Sequence, residues 1–593
     1  MRLFLVIFLI IFVNTFSYGF RQGFTEMGEE TGLGVAFSRG ISVVDFDNDG
    51  FDDLYIARKN RHNTLFRNIG DGTFEDVAEM AGVDLVGDYN QSIWADYDND
   101  GFLDFYLTTE TGDKNLLFHN NGDQTFTDVT LAAGLDISDF TTAAIWGDVN
   151  GDGFKDLFIF LLMEDDRFFL NNGDGTFSDY TAESGISMAR LSMGATFIDY
   201  DLDHDLDLYV AHDGHSGNFL FENDGGGLFK DVSVSTGILS DSEGMGVSVG
   251  DFNNDGWPDL YLTNRLQNYL FRNNEGESFT EISSASGVGD EGMGWGVSWL
   301  DFDNDGFLDL YIGNDSDYSD YANVLYRNNG DETFTKLFEE EPLAGDKGTY
   351  GTAISDLDHD GDPDLVIANR GTVDRSEVFI NELDNNNHWL IIRLMSEAMD
   401  RVPVGAMVMV ETAAATHTRY VLSGTSWSAD DSKSLHFGLG SVSQIETVHV
   451  TWPDGTTDEY RGLQVDMAYL LNADGTNQSL SYEYVPLKNN GTGGAEGVIT
   501  GIDEPVLEKV KISAYPNPFT KELALPLSLE RSDRVTVTLV SYAGTESKGL
   551  YSSKLYPGEQ TLRIPVVGLS SGLYLLQITI GDQQYYQKIL KTD

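Results

Sequence analysis

The sequence predicts an all-β chain built around a seven-bladed β-propeller, with two further β-rich domains behind it. Three observations carry this. One acidic segment recurs seven times at intervals of 50 to 55 residues. Each copy is followed by short runs rich in Phe, Tyr, Leu, Ile and Val, broken by Gly, Asn and Asp, which is strand composition with turn punctuation. About 50 residues accommodate four short strands, and four-stranded units repeated radially make a propeller.

The acidic segment starts at Asp45 (DFDNDGFDDLY), Asp96, Asp148, Asp199, Asp251, Asp301 and Asp356. A second element follows each, as NTLFRN at Asn63, NLLFHN at Asn115, RFFLNN at Arg167, NFLFEN at Asn218, NYLFRN at Asn268, NVLYRN at Asn323 and EVFIN at Glu377. The third is a strand led by Phe24, Phe74, Phe126, Phe177, Phe229, Phe279 or Phe334. Phe24 precedes the first acidic segment, and the last unit ends at Asn381 without a Phe-led strand of its own. The simplest ring therefore pairs the N-terminal strand into the last blade.

The segment reads D-x-[DN]-x-D-[GH]-x-x-D. Calcium takes six to eight hard oxygens on a flexible loop. Positions 1, 3 and 5 supply side chains, Gly at position 6 allows the sharp turn, position 7 offers its carbonyl, and Asp at position 9 closes the shell. The candidate ligands are Asp45, Asp47, Asp49 and Asp53, then Asp96, Asp98, Asp100 and Asp104, then Asp148, Asn150, Asp152 and Asp156. The later blades supply Asp199, Asp201, Asp203 and Asp207, then Asp251, Asn253, Asp255 and Asp259, then Asp301, Asp303, Asp305 and Asp309, then Asp356, Asp358, Asp360 and Asp364. This amounts to about seven Ca2+ sites, one per segment. Two carboxylates about 5 Å apart repel by roughly 3 kcal/mol at an effective dielectric near 20, so ion binding is expected to couple to folding. Magnesium, with its stricter octahedral geometry, fits less well. His204 stands where the other segments have Gly. At positive φ it would cost about 1 kcal/mol, which makes this the weakest expected site. His359, at position 4 of the last segment, is expected to face solvent.

Composition narrows the function. The net charge is −62, which excludes nucleic acid as a partner, since phosphates demand Lys and Arg stripes. There is no cysteine, so disulfides and thiolate metal sites are excluded and a bound ion is the available staple. Residues 1–19 read as a signal peptide, with Arg2, the apolar run Leu3 to Val13, and Ser17-Tyr18-Gly19 before the cleavage point. The run is shorter than the about 20 residues of a membrane span, and no transmembrane segment is expected after cleavage.

The loop resembles that of FG-GAP and integrin-α-type propellers, which places the propeller at 20–384. Behind it lie NNNHWLIIRL from Asn385, VGAMVMV from Val404, LHFGLG from Leu435 and VTWPDGT from Val450. These blocks resemble the ASPIC/UnbV domain, here 385–485, and with the propeller they are similar to the cartilage acidic protein family. Arg401 to Ala406 departs from that family's usual Arg-x-Ala-Ile-Gly-Ala run. The resemblance implies an extracellular calcium-binding protein and supplies no ligand. Residues 486–509 carry NNGTGGAEG and read as a flexible linker. YPNPF from Tyr515, LSSGLY from Leu569 and QKILK from Gln587 resemble the C-terminal sorting domain of the type IX secretion system, a β-sandwich at 510–593. That implies a Bacteroidetes-like host, the secretion machinery as a partner, and a product released or held at the outer-membrane surface.

No nucleophile elbow, phosphate-cradling loop or zinc signature is present. His212-Asp213-Gly214-His215 reads as a polar blade loop, and Trp94, Trp146, Trp257, Trp295 and Trp299 as blade packing. The leading expectation is a secreted or surface protein mediating adhesion to a glycan or protein. The alternatives are a polysaccharide-degrading enzyme on a calcium-stabilised propeller and a structural surface protein.

Overall fold

The computed structural model describes residues 23–488, apart from 111–112, 187–188, 215–216, 317–320, 338–342, 346, 372–373, 384 and 397–401. It also describes 522–591, apart from 530–532, 542–546, 556–557, 566–571 and 581–582. The signal segment, residues 489–509 of the linker, the YPNPF motif, His215, Arg401 and the start of LSSGLY lie outside the described residues. The chain forms two compact units divided at Ala495/Glu496.

The first blade shows how the repeat folds. Its innermost strand Ser38–Val44 pairs antiparallel with Asp53–His62, which pairs with Thr64–Asn68, which pairs with Phe74–Asp76. The acidic segment is the turn between the first two strands. Seven such four-stranded units occur among the described residues, and the innermost strand of each packs against that of the next. Ring closure follows the sequence expectation: Phe24–Glu26 pairs with Glu377–Asn381 as the outer strand of the last blade, in the register Phe24↔Asn381. The inner strands approach closely where glycine permits. A Cβ at Gly194 would stand 2.3 Å from Met245 O, and one at Gly246 2.1 Å from Trp295 O. Trp94, Trp146, Trp295 and Trp299 are buried.

The innermost strand runs into the acidic loop, so all seven acidic loops emerge at one end of the ring. The turns between second and third strands, and the connections from each outer strand to the next blade, emerge at the opposite end. Those connections carry the four-residue helices Ala78–Ala81, Thr130–Ala133 and Ser233–Thr236.

Residues 388–479 form two four-stranded sheets within the same unit. One orders Leu435–Gly440, His388–Met395, Met467–Asn472 and Asn477–Ser479, and the other Thr416–Tyr420, Met407–Thr412, Ile445–Thr451 and Thr457–Tyr460. They share a core containing Leu390, Ile392, Val408, Phe437, Val448 and Trp452. Between Tyr420 and Leu435 the chain leaves this core and enters the centre of the propeller ring. There Ala429–Asp430 pairs parallel with the first innermost strand, and Trp427 packs with Met193, Met245, Trp295 and Tyr350.

The second unit holds the pair Glu522–Leu529 with Gly558–Pro565 and a four-stranded sheet of Ser547–Leu555, Asp533–Ser541, Gly572–Ile580 and Gln583–Lys591. One apolar cluster, including Leu523, Leu525, Val537, Ile564 and Leu576, joins the two sheets. No helix among the described residues is long and apolar enough to cross a membrane.

Candidate metal centres

Each acidic loop folds onto its own position-1 aspartate. In the first, Asp45 accepts the N–H of Asp49 on Oδ1 and of Gly50 on Oδ2, both at 3.0 Å. Asp49 Oδ1 in turn accepts the N–H of Phe51 at 3.0 Å. The same bonds recur in the other loops, as at Asp301 with Asp305 and Gly306 and at Asp356 with Asp360 and Gly361. This winding turns the remaining carboxylates toward one another. Oxygens of Asp45, Asp47 and Asp53 lie within 4.8 Å of one another, as do those of Asp96, Asp98 and Asp100, of Asp199, Asp201 and Asp203, and of Asp301, Asp303 and Asp309.

The position-3 side chain separates two kinds of loop. Oδ1 of Asp47, Asp98, Asp201, Asp303 and Asp358 is buried and accepts no hydrogen bond. Buried polar atoms are normally paired, and an unpaired one costs about 1–3 kcal/mol. The five orphaned oxygens occupy the same place in five loops, where a cation would satisfy them all. The two loops with asparagine differ. Asn150 donates to Asp152 Oδ2 at 3.0 Å and accepts the Asp152 N–H at 3.1 Å; Asn253 does the same with Asp255 at 2.8 and 3.2 Å. These loops are closed on themselves.

Burial raises several of the carboxyls, Asp45 to about 7, Asp199 to about 7, Asp207 to about 9 and Asp358 to about 8. Neighbouring aspartates push most of them the same way. The aspartates offer hard oxygen, which suits calcium, and in the second loop the His119 ring also stands among them. His204 has φ +76, so the strain expected in the fourth loop is present.

Three features were not assigned by sequence. First, the asparagine ending each second element straps neighbouring blades. The Asn68 N–H donates to Asp53 Oδ1 at 2.7 Å, and Asn120 Nδ2 donates to Phe46 O of the preceding loop at 2.9 Å. Asn171, Asn223, Asn273, Asn328 and Asn381 repeat the second contact, and Asn68 to Leu357 O closes the ring. The recurring final Asn was the available signal. Second, basic side chains one position earlier reach the loops: Arg67 meets Asp47 and Asp49 at 2.5 and 3.1 Å, Arg327 meets Asp303 and Asp305 at 2.7 and 3.1 Å, and His119 lies 3.3 Å from Asp98. Third, residues 388–485 contact several loops. Arg393 meets Asp45 at 3.2 Å, and His417 bonds Gly306 O and His436 bonds Gly361 O, both at 3.0 Å.

Two histidines correct the sequence expectations. His359 does not face solvent: it is 4% exposed, between Phe51 and Tyr482 at ring-centroid distances of 4.4 and 3.9 Å. His212 is not in a polar loop: it ends the strand Asp207–His212 and is fully buried.

Burial pushes the His212 and His417 imidazoles down to about 4, with Arg190 and Arg419 respectively adding to the effect. The unfolded chain takes up protons near pH 6.5 while the folded chain does not. Stability is therefore expected to fall as pH drops from about 6.5 toward 4, by up to about 1.4 kcal/mol per pH unit for each ring. Denaturant unfolding at pH 7 and pH 5, in saturating calcium, measures this. His212→Gln should flatten the dependence.

Comparison with known proteins places these features. Residues 45–107, 96–159, 160–210, 199–262, 251–312 and 301–367 match the FG-GAP-like repeat model. Residues 397–478 match ASPIC and UnbV, and 513–592 match the secretion system C-terminal sorting domain. Cartilage acidic protein 1 of Homo sapiens is 27% identical over 466 residues, covering 70% of this chain and 69% of that protein. The Mus musculus protein is 27% identical over 462 residues, covering 70% of each. A solved Agrocybe aegerita lectin that recognises non-reducing terminal N-acetylglucosamine is similar at TM-score 0.35 and 19% identity, over 50% of this chain and 79% of that one.

Proposed function

Because this chain belongs to the FG-GAP-like repeat family and carries an ASPIC/UnbV domain and a secretion-sorting domain, we propose that it is a calcium-stabilised binding protein of the cell exterior. The sorting domain makes it an exported protein; the type IX route and display at the bacterial surface complete the reading. The domain divisions proposed are 1–19, 20–384, 385–485, 486–509 and 510–593.

The observation that carries the reading is the orphaned position-3 oxygen, buried in every loop with aspartate there and hydrogen-bonded in both loops with asparagine. Calcium is held by the aspartates at positions 1, 3, 5 and 9 of the five loops beginning at Asp45, Asp96, Asp199, Asp301 and Asp356. The loops at Asp148 and Asp251 bind more weakly.

Calcium fixes the ring, and the end away from the acidic loops meets the ligand. Exposed large apolar side chains stand on the turns and connections of that end: Met80, Val86, Leu131, Phe140, Val234 and Leu266. The test is binding of the calcium-loaded mature chain to an array of glycans and matrix proteins, with products analysed alongside. Saturable binding without turnover, lost in Leu131→Asp and Val234→Asp, supports adhesion. New reducing ends or unsaturated sugars would make it a polysaccharide-degrading enzyme. Neither result across the array would leave a structural role.

A further inference from the structure

The loops at Asp301 and Asp356 are covered more closely than the other five, with positions 3 and 4 buried in both. Asp301, Asp303, Asp309, Asp356, Asp358 and Asp364 are each 6% exposed or less. In the first five loops the position-3 residues Asp47, Asp98, Asn150, Asp201 and Asn253 are only half-buried and the position-5 aspartates are exposed, whereas Asp305 and Asp360 are half-buried.

The cover comes from residues 385–485. Over the loop at Asp301, His417 bonds Gly306 O at 3.0 Å, the Gly440 N–H donates to Asn304 O at 2.8 Å, and Asn385 and Asn387 both donate to Asp303 O. The chain passes so close that a Cβ on Gly438 would stand 2.0 Å from Asp301 Oδ2 and 2.6 Å from Asn304 Cα. Over the loop at Asp356, His436 bonds Gly361 O at 3.0 Å, the Val485 N–H donates to Asp358 O at 2.7 Å, and Tyr482 stacks on His359. Beneath this cover the Asp303 and Asp358 side chains, on residues 2% exposed, each keep one oxygen without a hydrogen-bond donor.

We infer that the ions of these two loops are interdomain staples, enclosed by the ASPIC/UnbV domain and exchanged only when that domain lifts. The inference rests on the calcium reading above and adds a kinetic division to it. An ion leaving an open loop needs only local loop motion. An ion leaving a covered loop first requires several interdomain hydrogen bonds to break together, a sub-global opening. The coupling is reciprocal: docking holds the two ions, and the two ions hold the ASPIC/UnbV domain on the propeller.

The test uses the full mature chain loaded with calcium and mixed with excess chelating dye. Release is expected in two phases, the slower one carrying two ions and running at least roughly tenfold behind the faster. Gly438→Ala, which forces Asp301 and its cover apart, should move one ion from the slow phase to the fast one. If that variant fails to fold, the pair Asp303→Asn with Asp358→Asn serves: the slow phase should vanish while the fast phase persists. Protease cleavage between the propeller and the ASPIC/UnbV domain should then quicken at least roughly tenfold. Single-phase release of every ion from the wild-type chain overturns the inference and leaves the calcium reading standing. A chain that binds no calcium overturns the calcium reading itself.

Discussion

Removing calcium from the mature chain is expected to lower its melting temperature by roughly 15–25 °C. An ion that binds only the folded state stabilises it by about 2.7 kcal/mol when present at a hundred times its dissociation constant. Five loops with an orphaned carboxylate oxygen give roughly 13 kcal/mol together, as large as the whole stability of many domains. For a unit of this size each kcal/mol moves the midpoint by about 1–2 °C, following the size trend of unfolding entropy. The physical origin is the cost of packing carboxylates without a counter-charge. Burial and mutual repulsion already raise Asp303 to about 6 and Asp358 to about 8. Calorimetry with millimolar calcium and with a chelator reads the effect, and magnesium should restore only part of it. An unchanged midpoint would mean that the orphaned oxygens are met by water and that the ring stands without ions.

The repeat was the legible part of this molecule. Each acidic segment reports its own turn, because position 1 accepts the backbone N–H groups four and five residues further along and Gly or His at position 6 takes a positive φ. The division between Asp and Asn at position 3 was written in the sequence, but Asn150 and Asn253 read there as neutral ligands and not as side chains bonded within their own loops. What could not be read was where the chain behind the repeat touches the ring. DFDNDGFDDLY at Asp45 and DFDNDGFLDLY at Asp301 differ at one residue in eleven, yet Asn48 is exposed in one loop while Asn304 is buried in the other, beneath a domain that begins some eighty residues later. His359 was misplaced for the same reason, since its partner Tyr482 lies outside the repeat. The excursion between Tyr420 and Leu435 carries no pattern that announces a place inside the ring. Ser428 reaches Asn90 across 338 residues.

That excursion is where the second large effect is expected: Trp427→Ala should cost about 3–5 kcal/mol, as for a large aromatic removed from a core. Trp427 is 2% exposed and lies 4.8 Å, centroid to centroid, from Trp295. Its segment also answers a problem built into every propeller. Innermost strands are edge strands, and their free N–H groups need partners. Here Ile41 N–H donates to Ser428 O, Trp94 N–H to Asp430 Oδ2, Val297 N–H to Ser426 Oγ and Ile354 N–H to Asp431 Oδ1, at 2.8 to 3.1 Å. The ASPIC/UnbV domain thus supplies an axle to the ring as well as a cover to two of its loops. Asp430→Ala should act through the polar half of this arrangement, leaving the Trp94 and Gly424 N–H groups without their acceptor and the Lys433 ammonium with Leu422 O but no counter-charge from Asp430. Each buried group so stranded costs about 1–3 kcal/mol. Urea unfolding of both variants in saturating calcium measures the two losses. The double variant should lose less than their sum, since both changes dislodge one segment. A loss below about 1 kcal/mol for Trp427→Ala would mean that the ring holds its inner edges unaided. A full loss in saturating calcium would make ion and axle separate supports of the same ring, each needed while the other is intact.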